Sequence, residues 1–308
     1  MIKSPSVLVV GGSGFIGSSL IRRLQSAGYV VRGMSRSVPS ELMELSGVDW
    51  VQGAIEEEQS IARALDGIDV CFHLASSTVP RTANADPKAD IRTNLVGTVG
   101  LLEHATRLGL RRLVFASSGG TVYGPPQTIP IPEKHPIAPI TSYGITKSTI
   151  EQYLRLFHRR DGLDYMIMRL SNPYGPGQKV GRAQGVVAAF AHHILNDMPI
   201  ELWGDGGTVR DFVYIEDAVT GLMSALNYEG AERIFNIGSG RGTSLNELIK
   251  HIEKFSRKKA DIRRVDGGGL DVDVNILDIT KAKEELNYRP LIDMELGIQM
   301  TLEYLRSH

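Results

Sequence analysis

The apolar run Val7-Leu-Val-Val10, the turn Gly11-Gly-Ser-Gly14-Phe-Ile-Gly17 and an amphipathic stretch from Phe15 to Ala27 follow one another directly. Few folds accept that order. A strand that ends in a glycine turn and feeds a helix opens a parallel βαβ unit. Gly11 permits the tight turn, Gly14 lets the backbone approach a pyrophosphate, and Gly17 allows the helix to pack closely on the strand. The anion is expected to rest on the amides and positive dipole end of the helix, at Phe15 and Ile16.

The same alternation continues through the first half of the chain. Strands are expected at Val7–Val10, Tyr29–Met34, Val48–Gln52, Val70–Leu74, Arg112–Ala116 and Tyr165–Leu170. Helices are expected at Phe15–Ala27, Glu57–Leu65, Lys88–Leu108 and Tyr143–Arg160. This pattern predicts an α/β protein with a Rossmann-type doubly wound parallel sheet over residues 1–171. After Asn172 the alternation loosens, with Pro173, Pro176, Pro199 and short strands such as Ile200–Trp203 and Ile262–Val265. Residues 172–308 therefore read as mainly a second, smaller α/β substrate domain, with segments near 210–236 returning to the first. Gly267-Gly-Gly269 reads as a flexible surface loop.

Charge narrows the partners. With 34 basic and 35 acidic residues the formal net charge is -1, so no global field draws the chain to nucleic acid or to acidic membranes. The single cysteine, Cys71, sits in an apolar run and reads as core packing in a reducing compartment. Met1 to Pro5 is too short to be a signal peptide or membrane span, so a cytoplasmic location is expected. No metal site is expected, because the adjacent His192 and His193 of a helix point in different directions.

The end of the second strand normally separates NAD from NADP, since an acid there bonds the ribose 2′-hydroxyl and repels a 2′-phosphate. This chain reads Gly33-Met34-Ser35-Arg36-Ser37, with no acid. A hydroxyl and a guanidinium suit a phosphate, so NADP(H) is favoured for the NAD(P) site; the alternative is that Arg36 stacks on the adenine or extends into water.

Tyr143-Gly-Ile-Thr-Lys147 places a phenol and an ammonium four residues apart, on one face of a helix. The positive charge is expected to lower the tyrosine pKa from its usual value near ~10 and make the phenol a usable base. With the glycine turn upstream and Ser117-Ser118 between, the pair points to hydride chemistry rather than to a solvated helix face.

Further runs complete a pattern: His73-Leu-Ala75, Asn94-Leu-Val-Gly-Thr98, Ser117-Ser-Gly-Gly-Thr-Val-Tyr-Gly124, Arg169-Leu-Ser-Asn-Pro-Tyr-Gly-Pro176, the stretch Trp203 to Asp217, and Phe235-Asn-Ile-Gly-Ser-Gly240. In order and spacing the chain resembles, over nearly its whole length, the extended short-chain dehydrogenase/reductase family. Within it the likeness is to the UDP-glucose 4-epimerase-like branch of the NAD-dependent epimerases and dehydratases. The resemblance implies that Tyr143 is the acid/base on a sugar 4-hydroxyl and that Lys147 bonds the nicotinamide ribose and tunes the tyrosine. It implies Ser118 as the relay hydroxyl, with Thr121 in reserve, and Leu74, Ala75 and Ser76 beside the cofactor. Gly119 would border the substrate, Asn172 and Arg210 would hold its diphosphate, and Asn94 would support the long helix. Tyr123 is placed either beneath the cofactor or in the core, Pro199–Trp203 at the nucleotide base or in a core strand, and His73 in a structural role. The resemblance also implies a homodimer in which Lys88–Leu108 and Tyr143–Arg160 of each subunit form a four-helix bundle.

Four positions depart from the family pattern. Ser35 replaces the ribose-binding acid, Ala54 stands where relatives carry an aspartate, and Gly119 occupies the usual third hydroxyl position. The second diphosphate arginine falls in Gly267–Gly269, leaving Arg263 or Arg264 as substitutes. The expected function is a nucleotide-sugar 4-epimerase of UDP-hexose type, working through a transient 4-keto intermediate. The alternatives are an NADPH-dependent 4-ketoreductase of a 4-keto-6-deoxy sugar and a non-catalytic cofactor-binding regulator. A 4,6-dehydratase is disfavoured, because Gly119-Gly120 stands where such relatives carry an Asp-Glu pair.

Overall fold

A computed structural model describes residues 5–45, 47–180, 185–265 and 272–307. Its frame is a seven-stranded sheet of β1 (Ser6–Val10), β2 (Val30–Ser35), β3 (Val48–Gln52), β4 (Val70–His73), β5 (Arg112–Ser118), β6 (Tyr165–Leu170) and, from much later in the chain, Ile234–Ile237. The spatial order is Ile234–Ile237, β6, β5, β4, β1, β2, β3, with every neighbouring pair parallel. This is the doubly wound arrangement expected from the alternation of short apolar runs and amphipathic stretches. Strand β1 shows why the sheet is covered on both faces. Val7 and Val9 join a core with Leu20, Ile21 and Leu24 of helix Phe15–Ser26, while Leu8 and Val10 join a second core with Leu101, Ile150 and Leu154. Alternate side chains of an extended strand point to opposite faces, so an all-apolar strand needs a helix layer on each.

The expected helix Lys88–Leu108 is present with one difference. Helix Pro87–Asp90 runs into a π-helical stretch, Ile91–Val96, and then into helix Gly97–Arg107. Its middle is wound wider, as happens where a functional side chain must be re-aimed.

From residue 172 the chain builds smaller sheets. β7 (Asn172–Tyr174), β9 (Val209–Tyr214), β11 (Gly242–Ser244) and β13 (Val274–Asn275) form one sheet about β9, and β8 (Ile200–Trp203) pairs with β12 (Ile262–Val265) as a ribbon. The strand Ile234–Ile237, β10 in chain order, lies between these segments in sequence yet hydrogen-bonds to β6 of the main sheet. Helices Val186–Leu195, Leu245–Ser256 and Met294–Ser307 carry the buried apolar faces that close this second unit. The expected Gly267–Gly269 loop lies outside the described residues.

Candidate active site

The glycine turn sits where β1, β2 and β4 end. Gly11 has φ 87°, and its amide donates to the Met34 carbonyl at 2.8 Å. A Cβ there would lie 2.8 Å from the Ala75 nitrogen, so the turn closes directly on Leu74-Ala75. A Cβ at Gly17 would run into the Gly11 carbonyl oxygen, which is why the helix can pack so tightly on the turn. At Gly14 a Cβ would meet only that same oxygen, at 3.2 Å, and its other side is open. Helix Phe15–Ser26 begins with no side-chain cap and no acid in its first turn, so its first amides, at Phe15 and Ile16, are left for an anion.

Ser35 stands at the end of β2, beside the glycine turn. Its side chain is buried, and its Oγ accepts from the Ser13 amide at 2.9 Å. The hydroxyl therefore braces the glycine turn, because the last residue of β2 points towards it. Arg36 is exposed, and its guanidinium makes no hydrogen bond or ion pair among the described residues.

Helix Ser142–Asp161 starts at Thr141, whose Oγ1 accepts from the Gly144 amide at 3.2 Å, and stops at Gly162 with φ 77°. Tyr143 lies in its first turn and Lys147 one turn on. Lys147 is buried; its Nζ donates to the Ala116 carbonyl of β5 at 2.9 Å and stands 4.6 Å from the Phe115 ring centre and 5.6 Å from that of Tyr143.

The electrostatics correct the sequence reading. Burial pushes the Tyr143 phenol up to about 12, the Asp90 charge acts in the same direction, and a hydrogen bond with Ser76 opposes them. The lysine, facing the ring rather than the hydroxyl, does not reverse this. Lys147 is instead the shifted base: burial brings its pKa down to about 8, against the charges of Asp90 and Glu151. Desolvation disfavours the charged form of each group, so it raises the phenol and lowers the amine.

Of the hydroxyls after β5, Ser117 points away and donates to Glu151 Oε1 at 2.6 Å. Ser118 is half-buried at the strand end and donates to no protein group among the described residues. Thr121 Oγ1 is buried without a hydrogen-bond partner among the described residues, and its backbone carbonyl lies 2.6 Å from where a Gly144 Cβ would be. Ser118 and Thr121 are thus the two hydroxyls left for a ligand. At Gly119 a Cβ would fall 2.5 Å from Leu277 Cδ1, so Leu277 fills the space that a third hydroxyl would need.

Asn172 and Arg210 are neighbours across β7 and β9, for the Asn172 Nδ2 donates to the Asp211 carbonyl at 3.0 Å. Arg210 Nη1 donates to the Val209 carbonyl at 2.8 Å. Asn275, paired with Arg210 through β13, donates its Nδ2 to the Gly119 carbonyl at 3.0 Å, which joins this pair to the end of β5.

Other candidates lie elsewhere. His73 is buried, its Nε2 2.8 Å from Thr98 Oγ1, and burial, followed by the Lys147 charge, holds its pKa down to about 3. Tyr123 is buried, with its hydroxyl donating to Asn236 Oδ1 at 2.7 Å and the Arg169 guanidinium 4.9 Å from its ring centre. Ile200 and Leu202 of β8 are core, while Trp203 is exposed. Arg264 donates to the Gly204 carbonyl and Arg263 faces Asp261, both on the β8–β12 ribbon.

Sequence reasoning missed three buried charges. Glu151 and Arg169 form an ion pair at 2.6 Å, each side chain 1% exposed. Asp90 is wholly buried, its Oδ1 accepting from Thr78 Oγ1 (2.5 Å) and Asn94 Nδ2 (2.7 Å) and its Oδ2 from Ser142 Oγ (3.0 Å) and Thr146 Oγ1 (2.7 Å). Burial pushes its pKa up, but the four hydrogen bonds outweigh this and leave it below its ordinary value. The helical i, i+4 spacing of Asp90 and Asn94 was the one available signal.

Residues 7–238 match the model of the NAD dependent epimerase/dehydratase family. The chain is 36% identical to a dTDP-4-dehydro-6-deoxyglucose reductase of Escherichia coli, covering 97% of each chain. It is 32% identical to a UDP-glucose 4-epimerase of Mycolicibacterium smegmatis, covering 97% of this chain and 98% of that one. Among solved structures, the UDP-glucose 4-epimerase of Thermotoga maritima with UDP-glucose superposes with a TM-score of 0.93 at 35% identity, covering 98% of this chain and 99% of that one.

Proposed function

Since the chain belongs to the NAD-dependent epimerase/dehydratase family, we propose that it is a nucleotide-sugar 4-epimerase acting on UDP-hexoses with a bound nicotinamide dinucleotide. The observation that carries this reading is the likeness, over 98% of the chain, to a UDP-glucose 4-epimerase structure that contains UDP-glucose. The glycine turn suits a dinucleotide: Gly11 and Gly17 leave no room for a Cβ, Gly14 is open, and the helix amides beyond it are uncapped. Held by the Gly11–Gly17 turn and the first helix amides, the dinucleotide would supply reversible hydride exchange at the sugar C4.

The chain's own residues manage the proton and the substrate. Tyr143 takes the 4-hydroxyl proton and later returns it, through Ser118 or Thr121. With the free phenol at about 12, the Lys147 ammonium, 5.6 Å from the Tyr143 ring centre, is the charge among the chain's own residues that favours its ionised form. Lys147 holds its ammonium against the Ala116 carbonyl and orients the ribose nearby. Asn172 and Arg210 hold the diphosphate from β7 and β9, with a guanidinium well shaped for phosphate oxygens. The segment from residue 172, without the β10 return, is read as the sugar-nucleotide lobe.

The Arg36 guanidinium, exposed and without a protein partner among the described residues, supports NADP(H) over NAD. Ile91, Val96, Ile145 and Leu156 are exposed on the two long helices, which supports a homodimer through a four-helix bundle; sedimentation as a monomer at micromolar concentration would refute it. Among the described residues no helix is long and apolar enough to cross a membrane.

A second reading is favoured by the Escherichia coli relative and by Arg36: an NADPH-dependent 4-ketoreductase using the same Tyr143, Lys147 and Ser118 in one direction. The test is mass spectrometry of dinucleotide released from freshly purified protein, followed by incubation with UDP-glucose and with a dTDP-4-keto-6-deoxy sugar. Retained dinucleotide with interconversion of UDP-hexoses and no net oxidation supports the epimerase. Stoichiometric NADPH oxidation as the keto sugar disappears establishes the reductase.

A further inference from the structure

The buried charges around the acid–base pair do not cancel in contact. Lys147, 5% exposed, has no carboxylate partner within ion-pair distance among the described residues; its Nζ donates to the Ala116 carbonyl. Glu151, one turn further along the helix, is held by both the Nε (3.0 Å) and the Nη2 (2.6 Å) of Arg169 and by Ser117, so its charge is matched by the guanidinium. His73 faces Lys147 but stays neutral. Among the described residues the remaining anion at the pair is Asp90, 0% exposed and bound by four neutral donors, with no cation in contact. A desolvated carboxylate is tolerated only where hydrogen bonds and nearby opposite charge compensate it. With Glu151 matched by Arg169, Asp90 and Lys147 are the buried charges around the pair left without an opposite charge in contact among the described residues, and the Asp90 charge acts on Lys147.

The donors come from three segments that must keep register. Ser142 and Thr146 flank Tyr143 on its helix. Asn94 binds Asp90 and also accepts the Ser77 amide at 3.0 Å. Thr78 accepts from Asn94 Nδ2 at 2.8 Å, while its carbonyl accepts from Ser76, the residue that bonds the Tyr143 phenol.

We propose that Asp90 is a positioning residue for the acid–base pair. Its carboxylate locks the 76–78 loop, Asn94 and both flanks of Tyr143 into one unit, and its negative charge balances the Lys147 ammonium across the site. The inference rests on the reading of Tyr143 and Lys147 as that pair, and its test does not depend on turnover.

Asp90→Asn separates charge from contact. The amide oxygen still accepts from Thr78 and Asn94, and the amide nitrogen can donate to the Ser142 and Thr146 hydroxyls, which accept as readily as they donate. The full chain is labelled with ε-13C-lysine, and the Lys147 resonance is identified by its loss in Lys147→Met. The other groups facing Lys147 are Tyr143, Glu151 and His73, all unchanged by the substitution. Removing a facing negative charge makes the ammonium harder to hold, so the Lys147 titration should move about one pH unit lower. The kcat–pH profile should move the same way, with the melting temperature little changed. A folded Asp90→Asn protein whose Lys147 titrates at the wild-type pH overturns the proposal. If Asp90→Asn does not fold, Thr146→Val removes one donor from the same carboxylate; a several-fold fall in kcat at unchanged sugar KM is expected, and unchanged kcat overturns it. Wild-type protein that turns over no nucleotide sugar defeats the functional reading, whereas the lysine titration still tests Asp90.

Discussion

The Glu151–Arg169 pair gives the sharpest stability prediction. The Glu151 carboxylate accepts from Arg169 Nη2 at 2.6 Å, Arg169 Nε at 3.0 Å and Ser117 Oγ at 2.6 Å, with both charged side chains 1% exposed. Arg169 spends its remaining donor, Nη1, on the Tyr123 hydroxyl and the Glu133 carbonyl. Glu151→Gln keeps the shape, removes the charge, and turns an amide N–H towards guanidinium donors. A buried cation left without its counter-charge destabilises by about 3–5 kcal/mol. An unfolding entropy of roughly 2.1 cal/mol/K per residue gives about 650 cal/mol/K for 308 residues, so the melting temperature should fall by roughly 5–8 °C. Differential scanning calorimetry of dinucleotide-free protein measures this. Adding Arg169→Met removes the stranded charge and should recover at least half of the loss, because the unpaired charge, not the missing attraction, is the main penalty. A single-variant drop under about 2 °C, or a double variant that melts at the sum of the two single losses, would refute the reasoning.

Lys147→Met should abolish turnover. The folded pKa of about 8 lies below the ordinary 10.5, so the unfolded chain binds more protons between those values and wild-type stability rises with pH across that window. The stability of the variant relative to wild type should accordingly fall from pH 8 upward in parallel thermal melts. Gly17→Ala puts a Cβ against the Gly11 carbonyl oxygen and should abolish dinucleotide retention by mass spectrometry; retention at the wild-type level would contradict the cradle. Arg210→Ala should raise the UDP-sugar KM roughly 10- to 150-fold, the equivalent of one charge-assisted contact of about 1.5–3 kcal/mol, with the dinucleotide affinity unchanged by titration calorimetry. An unchanged KM would remove Arg210 from the diphosphate site.

The frame of this protein was legible in its sequence because the signals are local. Val7–Val10, the Gly11–Gly17 turn and the following helix are set by apolar alternation and by the space that a missing Cβ leaves, and both are written in consecutive residues. The Tyr143–Lys147 spacing likewise follows from helix geometry alone. Local pattern did not reveal the widened turn at Ile91–Val96, and the return to the first unit, expected near 210–236, is made by Ile234–Ile237 pairing with β6; each depends on packing between distant segments. The charge state of the site was misread for the same reason. Proximity in sequence suggested that Lys147 lowers the Tyr143 pKa, but desolvation is a property of the folded surroundings, and it raises the phenol while lowering the amine. The bond by which Ser35 also braces the Ser13 amide emerged only once β2 and the glycine turn were side by side. Asp90 and Glu151 carry no motif, Arg169 only opens the run to Pro176, and their partners lie up to 56 residues away in the chain. Residue type and spacing determined which chemistry this chain can perform; only tertiary burial decided which charges survive inside it, because the free energy of a charge depends on what surrounds it in space.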